Sequence, residues 1–254
     1  MANPSLAQVF WNVAPYVSLS IASVGTWWRY RYDKFGWTSR SSQIYESRLL
    51  AIGSPMFHFG SLMVIMGHVV GLCIPEWLTE DIGMSDHFYH LQALILGAPA
   101  GAAALIGIGL LIYRRWTRGP VRLATSLSDK LMYPVLACAM VAGMSCTVMG
   151  ATHYGEVHDY RQNVSVWFRS IFVLDPRGDL MLQAPLYFHV HVTIALLLFA
   201  LWPFTRLVHA FSAPIAYLFR PYIVYRSREL TADQQMVGSA PRPRGWEQIS
   251  SPPR

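Results

Sequence analysis

The amino-acid sequence predicts an all-α polytopic membrane protein with five transmembrane helices, its N-terminus outside and its C-terminus cytoplasmic. Three observations carry that expectation. Only 13% of the 254 residues are charged while 53% are hydrophobic, against about a quarter charged in an ordinary soluble domain. Five apolar runs, roughly residues 7–28, 49–75, 91–113, 131–152 and 187–211, each approach the ~20 residues that cross a ~30 Å hydrocarbon core as a helix. The basic residues, finally, cluster on one side of the topology those runs imply.

The N-terminus, "MANPSLAQVFWNVAPY", has no basic leader and no small-residue cleavage site after an apolar core, so the first run is expected to remain as a helix. The segment after it, "RYRYDKFGWTSRSSQIYESR", carries five Lys/Arg. The second run contains "FHFGSLMVIMGHVVG" (57–71), whose methionines read as core packing and which carries two histidines, His58 and His68. After it, "EWLTEDIGMSDHFYH" has four acids and no Lys or Arg. In the third run Gly97, Gly101, Gly107 and Gly109, with three alanines at 102–104, are expected to allow close helix packing. "RRWTRGPVRLATSLSDK" then contributes five basic residues, and the fourth run leads to a segment, 153–186, with three against four acids. That segment is the extracytoplasmic loop with room for structure of its own. In the fifth run Pro203 reads as a kink, and Pro214 as a helix end. Seven basic residues follow from Arg206 onward. Seventeen of twenty thus lie on one side, which the positive-inside bias makes the cytoplasm. Residues 1–217 form the membrane domain of a multi-pass protein of the cell (inner) membrane. Residues 218–254 form a Pro/Arg-rich tail that rests on the membrane or clasps a partner.

Several function classes are excluded or demoted. The basic loops have a sufficient membrane explanation, so the net charge of +6 implies no nucleic-acid partner. Cys73, Cys138 and Cys146 form no CxxC or CxxCH, which points away from covalent c-type haem and from iron–sulfur clusters held by this chain. They read as small apolar fillers. The runs contain no Asp or Glu, which a proton-coupled transporter would want.

The histidines carry the chemistry. His58, His68, His189, His191 and His209 lie within or at the ends of runs two and five, where ionisable groups are costly and usually functional. On a helix, the eighteen residues between His191 and His209 return them to one face, and His189 falls about 160° from His209. His58 and His68 are about 80° apart. Helices two and five run in opposite directions, so His58 lies at the level of His209 and His68 at the level of His191. Two facing imidazole pairs suit two six-coordinate haems, and Gly60, Gly67 and Gly71 beside the ligands would give a macrocycle room. Proton-relay groups or packing histidines are the competing readings. The spacings conflict in one respect: ten residues rise about 15 Å and eighteen about 27 Å. A tilt, or a kink at Pro203, would absorb the difference.

The blocks "FHFG…GHVVG", "HVTIALLLFALWPFTRLVHAFSAP" and "GTWWRYRYDKFGWTSRSSQ" resemble the gamma subunit, a dihaem cytochrome b, of membrane-bound respiratory nitrate reductases, over about residues 10–225. The resemblance implies a quinol dehydrogenase with two haems b between helices two and five. His68 and His191 would hold the iron of the distal one and His58 and His209 that of the proximal one, the pairing that topology also gives. It further implies electron flow from quinol through both haems to a cytoplasmic iron–sulfur subunit and a molybdenum catalytic subunit that reduces nitrate. The family places a lysine shortly after helix two near its quinol site. Here the position is Phe88, flanked by His87 and His90, either of which could supply a donor to a quinone oxygen or be an exposed loop histidine. Gly67 matches the motif and would let a ring approach. Arg206, one turn before His209, reads either as a partner for a haem propionate or as a flanking charge. Rival readings are a related cytochrome b serving a heterodisulfide-reductase-like or sulfite-pathway partner, and, from another class, a haem-free membrane anchor.

Overall fold

A computed structural model describes residues 5–33, 42, 45–152 and 159–212. The tail over 218–254, Pro214, His153 and His158 lie outside the described residues. Among those described, all regular structure is helical. Helix α1 spans Leu6–Tyr32 and starts where the Ser5 hydroxyl accepts from the Gln8 N–H at 3.2 Å. Helix α2, Arg48–His68, runs on into a wider π-helical turn, Val69–Cys73. A short α3, Glu76–Asp81, precedes α4, Asp86–Thr117, which Ser85 caps through the Phe88 N–H. The short α5, Gly119–Leu123, leads to α6, Leu127–Thr152. Helices α7, Val164–Phe172, and α8, Gly178–Leu182, precede α9, Leu186–Leu201. Two 3₁₀ segments close the described chain, Trp202–Phe204 and Arg206–Ser212.

Among the described residues, four helices are long and apolar enough to cross a membrane: Arg48–Cys73, Asp86–Thr117, Leu127–Thr152 and Leu186–Phe204. Burial is inverted relative to a soluble protein. Arg114 is only 1% exposed, whereas Leu62, Ile65, Ile95, Leu96 and Leu197 lie on the outside. Such a surface is compatible with a hydrocarbon solvent and not with water.

The bundle is joined through small residues. Helix α2 packs most extensively on α4, α4 on α6, α6 on α9, and α9 on α1. A Cβ at Gly60 would lie 2.7 Å from the Ala104 nitrogen and 2.8 Å from the Ala100 oxygen, and one at Gly107 would lie 2.8 Å from the Phe57 Cα. Those glycines set the α2–α4 separation. Gly60 therefore serves helix packing and does not clear space beside His58. Gly71 is likewise taken, by the Tyr160 hydroxyl at 2.9 Å. Gly101 meets Met144, as the packing expectation required, but Gly97 and Gly109 have nothing within 4 Å and face outward.

The expected kink at Pro203 is a full break. Regular α-helix stops at Leu201, so His209 stands on a 3₁₀ turn and not on a continuation of α9. Three features of α1 hold the break. Gly25 faces Pro203, whose ring a Cβ there would strike. Ser18 donates to the Leu196 carbonyl at 2.6 Å. Arg29 donates to the carbonyls of Pro203 and Thr205 at 2.7 and 3.1 Å, satisfying groups that the interrupted ladder leaves open.

The segment after α6 has its own small core, as anticipated for the part that is described. Trp167, Ile171 and Val164 of α7 and Met181 of α8 pack on Trp11 of α1. The Trp167 indole N–H donates to the Trp11 carbonyl at 3.0 Å, and Asn12 accepts from the Gly178 N–H at 2.8 Å. The region after α2 departs from expectation. It is helical instead of a loop, so His87 and His90 stand on the first turns of α4, which Ser85 and Asp86 initiate.

Replacing Gly107 by valine should force α2 and α4 apart and lower stability by about 1–3 kcal/mol, the usual cost of overpacking. Gly109→Ala should be neutral. Thermal unfolding of the two purified variants in detergent measures the difference.

Candidate functional site

The residues brought together are the four expected histidines, in the expected pairs. The rings of His68 and His191 have centroids 6.0 Å apart and those of His58 and His209 are 6.2 Å apart. A metal–imidazole bond is about 2.0 Å and the bonding nitrogen sits about 1.1 Å from its ring centre, so two imidazoles on opposite sides of one ion place their centroids about 6.2 Å apart. Both pairs meet that requirement.

The hydrogen bonds fix the tautomer. Nδ1 of His58 reaches the Ser54 carbonyl at 2.7 Å, and Nδ1 of His68 the Val64 carbonyl at 2.8 Å. His191 Nδ1 reaches the Ala139 carbonyl of α6 at 3.1 Å, and His209 Nδ1 the Arg206 carbonyl at 2.5 Å. A carbonyl oxygen only accepts, so each Nδ1 carries the proton and each Nε2 carries the lone pair. A histidine that ligates a metal is typically oriented by just such a bond from its other nitrogen. The donor set therefore fits a pair of bis-imidazole haems.

Other elements frame the pairs. In α6, a Cβ at Gly143 would lie 2.9 Å from Cε1 of His191, so glycine there lets the ring lie flat against the helix. Beside His68, Gly67 has open space around it. The π turn that follows leaves the Leu72 carbonyl to accept from Arg169 of α7 at 3.0 Å. His189, the histidine off the common face, packs 5.3 Å from the Trp11 ring and donates to the Met181 carbonyl, which gives it a structural place.

Arg206 sits one turn before His209, and its fork is engaged by Asp129 of α6, at 2.6 Å to Nε and 2.8 Å to Nη2. A propionate would have to share that guanidinium. On the first turns of α4, His87 is exposed and His90 half-buried, and the side chain directed inward is Tyr89. The Tyr89 hydroxyl lies 3.2 Å from that of Tyr160, and its ring carries the buried Arg161 guanidinium at 3.9 Å. Burial and the neighbouring Tyr89 push the Tyr160 phenol far above its ordinary range, so it stays protonated. An open concavity of about 440 Å³ lies nearby, lined by Ile82, Gly83, Met84, Ser85 and Phe88.

A family profile described as the nitrate reductase gamma subunit matches residues 7–228. The chain is 44% identical over 221 residues to the nitrate reductase gamma chain of Bacillus subtilis, covering 87% of this chain and 98% of that one. It belongs to the nitrate reductase gamma subunit family. It is thus a multi-pass protein of the cell membrane. Against the respiratory nitrate reductase 2 gamma chain of Escherichia coli the identity is 32% over 220 residues, 86% of this chain and 96% of that. A higher identity, 62% over 241 residues, links 95% of the chain to the nitrate reductase-like protein NarX of Mycobacterium tuberculosis. The chain spans 36% of that protein's length.

Gly143, Asp129 and Arg29 escaped the sequence reading. Asp129 had left a signal, as the lone acid in a strongly basic segment. If each imidazole pair holds one haem b, replacing Gly143 by valine should displace the His191 ring and cost one of the two, measured by pyridine haemochrome, with the His58–His209 pair retained.

Proposed function

We propose that this chain is the quinol-oxidising dihaem cytochrome b subunit of a respiratory nitrate reductase. The observation that carries the reading is the pair of imidazole pairs, with ring centroids 6.0 and 6.2 Å apart and each ring tied through Nδ1 so that Nε2 keeps its lone pair. His68 and His191 hold the distal haem b, and His58 and His209 the proximal one. When bound, the two haems supply one-electron chemistry between quinol at the outer end and a cytoplasmic iron–sulfur subunit, which in turn serves a molybdenum subunit that reduces nitrate.

The topology is five spans, with the N-terminus outside and the C-terminus inside. Support for counting α1 comes from its surface: Phe10, Val13, Val17, Ile21 and Val24 are exposed at three- and four-residue spacing, a lipid-facing stripe, while Asn12 and Ser18 are bonded inward. His68 and Gly67 then lie toward the outer face, and His58, His209 and Arg206 toward the cytoplasm. Quinol binds at the outer end, where Gly67 admits the ring and His87 or His90 donates to a quinone oxygen. Each quinol oxidised gives two electrons and releases two protons outward. Electrons moving inward work against the membrane potential, at ~2.3 kcal/mol per charge per 100 mV.

A dithionite-reduced minus oxidised spectrum with pyridine haemochrome quantitation tests this. Two haems b per chain are expected, falling to one in His68→Ala and in His209→Ala. A well-folded preparation without haem would leave the chain as an anchor.

A further inference from the structure

Among the four histidines, His209 alone is carried on a 3₁₀ turn beyond a helix break. His58 and His68 bond carbonyls one turn back in their own α-helix, and His191 sits within α9. A 3₁₀ turn has poorer hydrogen-bond geometry than an α-helix and little rigidity of its own. The segment bearing His209 must therefore be held from outside.

We propose that Asp129 is a positioning residue for His209 and sets the electrostatic environment of the proximal site. This inference rests on the haem reading above. The link has three steps. The Asp129 carboxylate takes both arms of the Arg206 fork, at 2.6 and 2.8 Å. The backbone carbonyl of Arg206 takes the Nδ1–H of His209. That bond orients the imidazole and makes it a stronger donor through Nε2. Asp129 is 2% exposed and is itself fixed, its Oδ2 accepting from the Ser126 N–H at 3.2 Å. A bidentate charge-assisted pair in that setting has one geometry, so helix α6 dictates where the turn stands.

A second guanidinium shares the carboxylate. Arg115 lies 3.6 Å from Asp129 and is held by the Tyr133 hydroxyl at 2.9 Å and Thr125 Oγ1 at 3.1 Å. One buried carboxylate thus balances two cations beside the proximal pair. Without it, two uncompensated guanidiniums would remain, favouring the reduced, less positive state of that site. Loosening the His209 bond acts in the same direction, by weakening the ligand. Among the described residues no corresponding ion pair supports His191, which rests on the Ala139 carbonyl and on Gly143.

The test is potentiometric titration of the purified complex, followed optically and by low-temperature EPR, on wild type, Asp129→Asn and Asp129→Glu. His209→Ala identifies the proximal wave by its loss. In Asp129→Asn the proximal wave should move to higher potential and its low-spin signal change its g-anisotropy, with the distal wave in place. Asp129→Glu, which keeps the charge, should return the wave toward wild type. Two haems with neither wave moved, or both moved equally, would overturn the inference while leaving the haem reading intact. Wild type without haem would instead sink that reading. Should Asp129→Asn not assemble, Arg206→Lys breaks the fork while keeping the cation, and an unchanged proximal signal in that variant overturns the inference as well.

Discussion

An imidazole inside a hydrocarbon-facing bundle must place its N–H on an acceptor, because no water is present to take it. Four such rings are accommodated here, and each uses a backbone carbonyl: two from the α-helix that carries it, one from a neighbouring helix, one from its own 3₁₀ turn. That single requirement decides the tautomers, which decide where the lone pairs point, which decides what can sit between the rings. The helix packing then follows. Glycines bring α2 tightly onto α4, and the chain of close contacts runs round through α6 to α9. Helix α2 meets α9 at His68 and His191, and the 3₁₀ turn beyond it at His58 and His209.

The polar residues other than histidine are used economically. Arg114 is tied to Ser42 and Glu46, fixing the end of α4 to the segment before α2. Arg29 serves the break after α9. Arg161 joins Thr79 and Asp86 at the end of the bundle where α4 begins. Each lies near an end of the bundle, where a buried cation can still be matched, and the middle is left to small and apolar residues. The division explains how a chain with so few charges holds several of them almost wholly buried.

Much of this was legible in the sequence, for physical reasons that can be named. The apolar runs mark the helices because hydrocarbon thickness imposes a length, and the ends of α2, α4 and α6 fall within a few residues of the expected ones. The histidine pairs were legible from depth alone: antiparallel helices put His58 opposite His209 and His68 opposite His191. The register argument for His191 and His209 assumed one unbroken helix, and that assumption fails at Leu201. Its conclusion survives because depth, not angle, chose the partners. Glycine use was only half legible. Spacing identifies a small-residue face but not the neighbour, so Gly60 reads like space for a cofactor until α4 is seen against it. The ion pair between Asp129 and Arg206 joins residues 77 positions apart, a separation that local pattern does not report.

The break after Leu201 gives the bundle a mechanical joint. An unbroken helix would transmit any rotation at one end straight to the other. Here the segment after Leu201 is fastened to α1 and α6, so its position answers to those two helices as well as to α9. The end of the molecule around His191 and the end around His209 can accordingly drift apart in sequence, each fitted to what it faces, with less of one alteration being felt at the other.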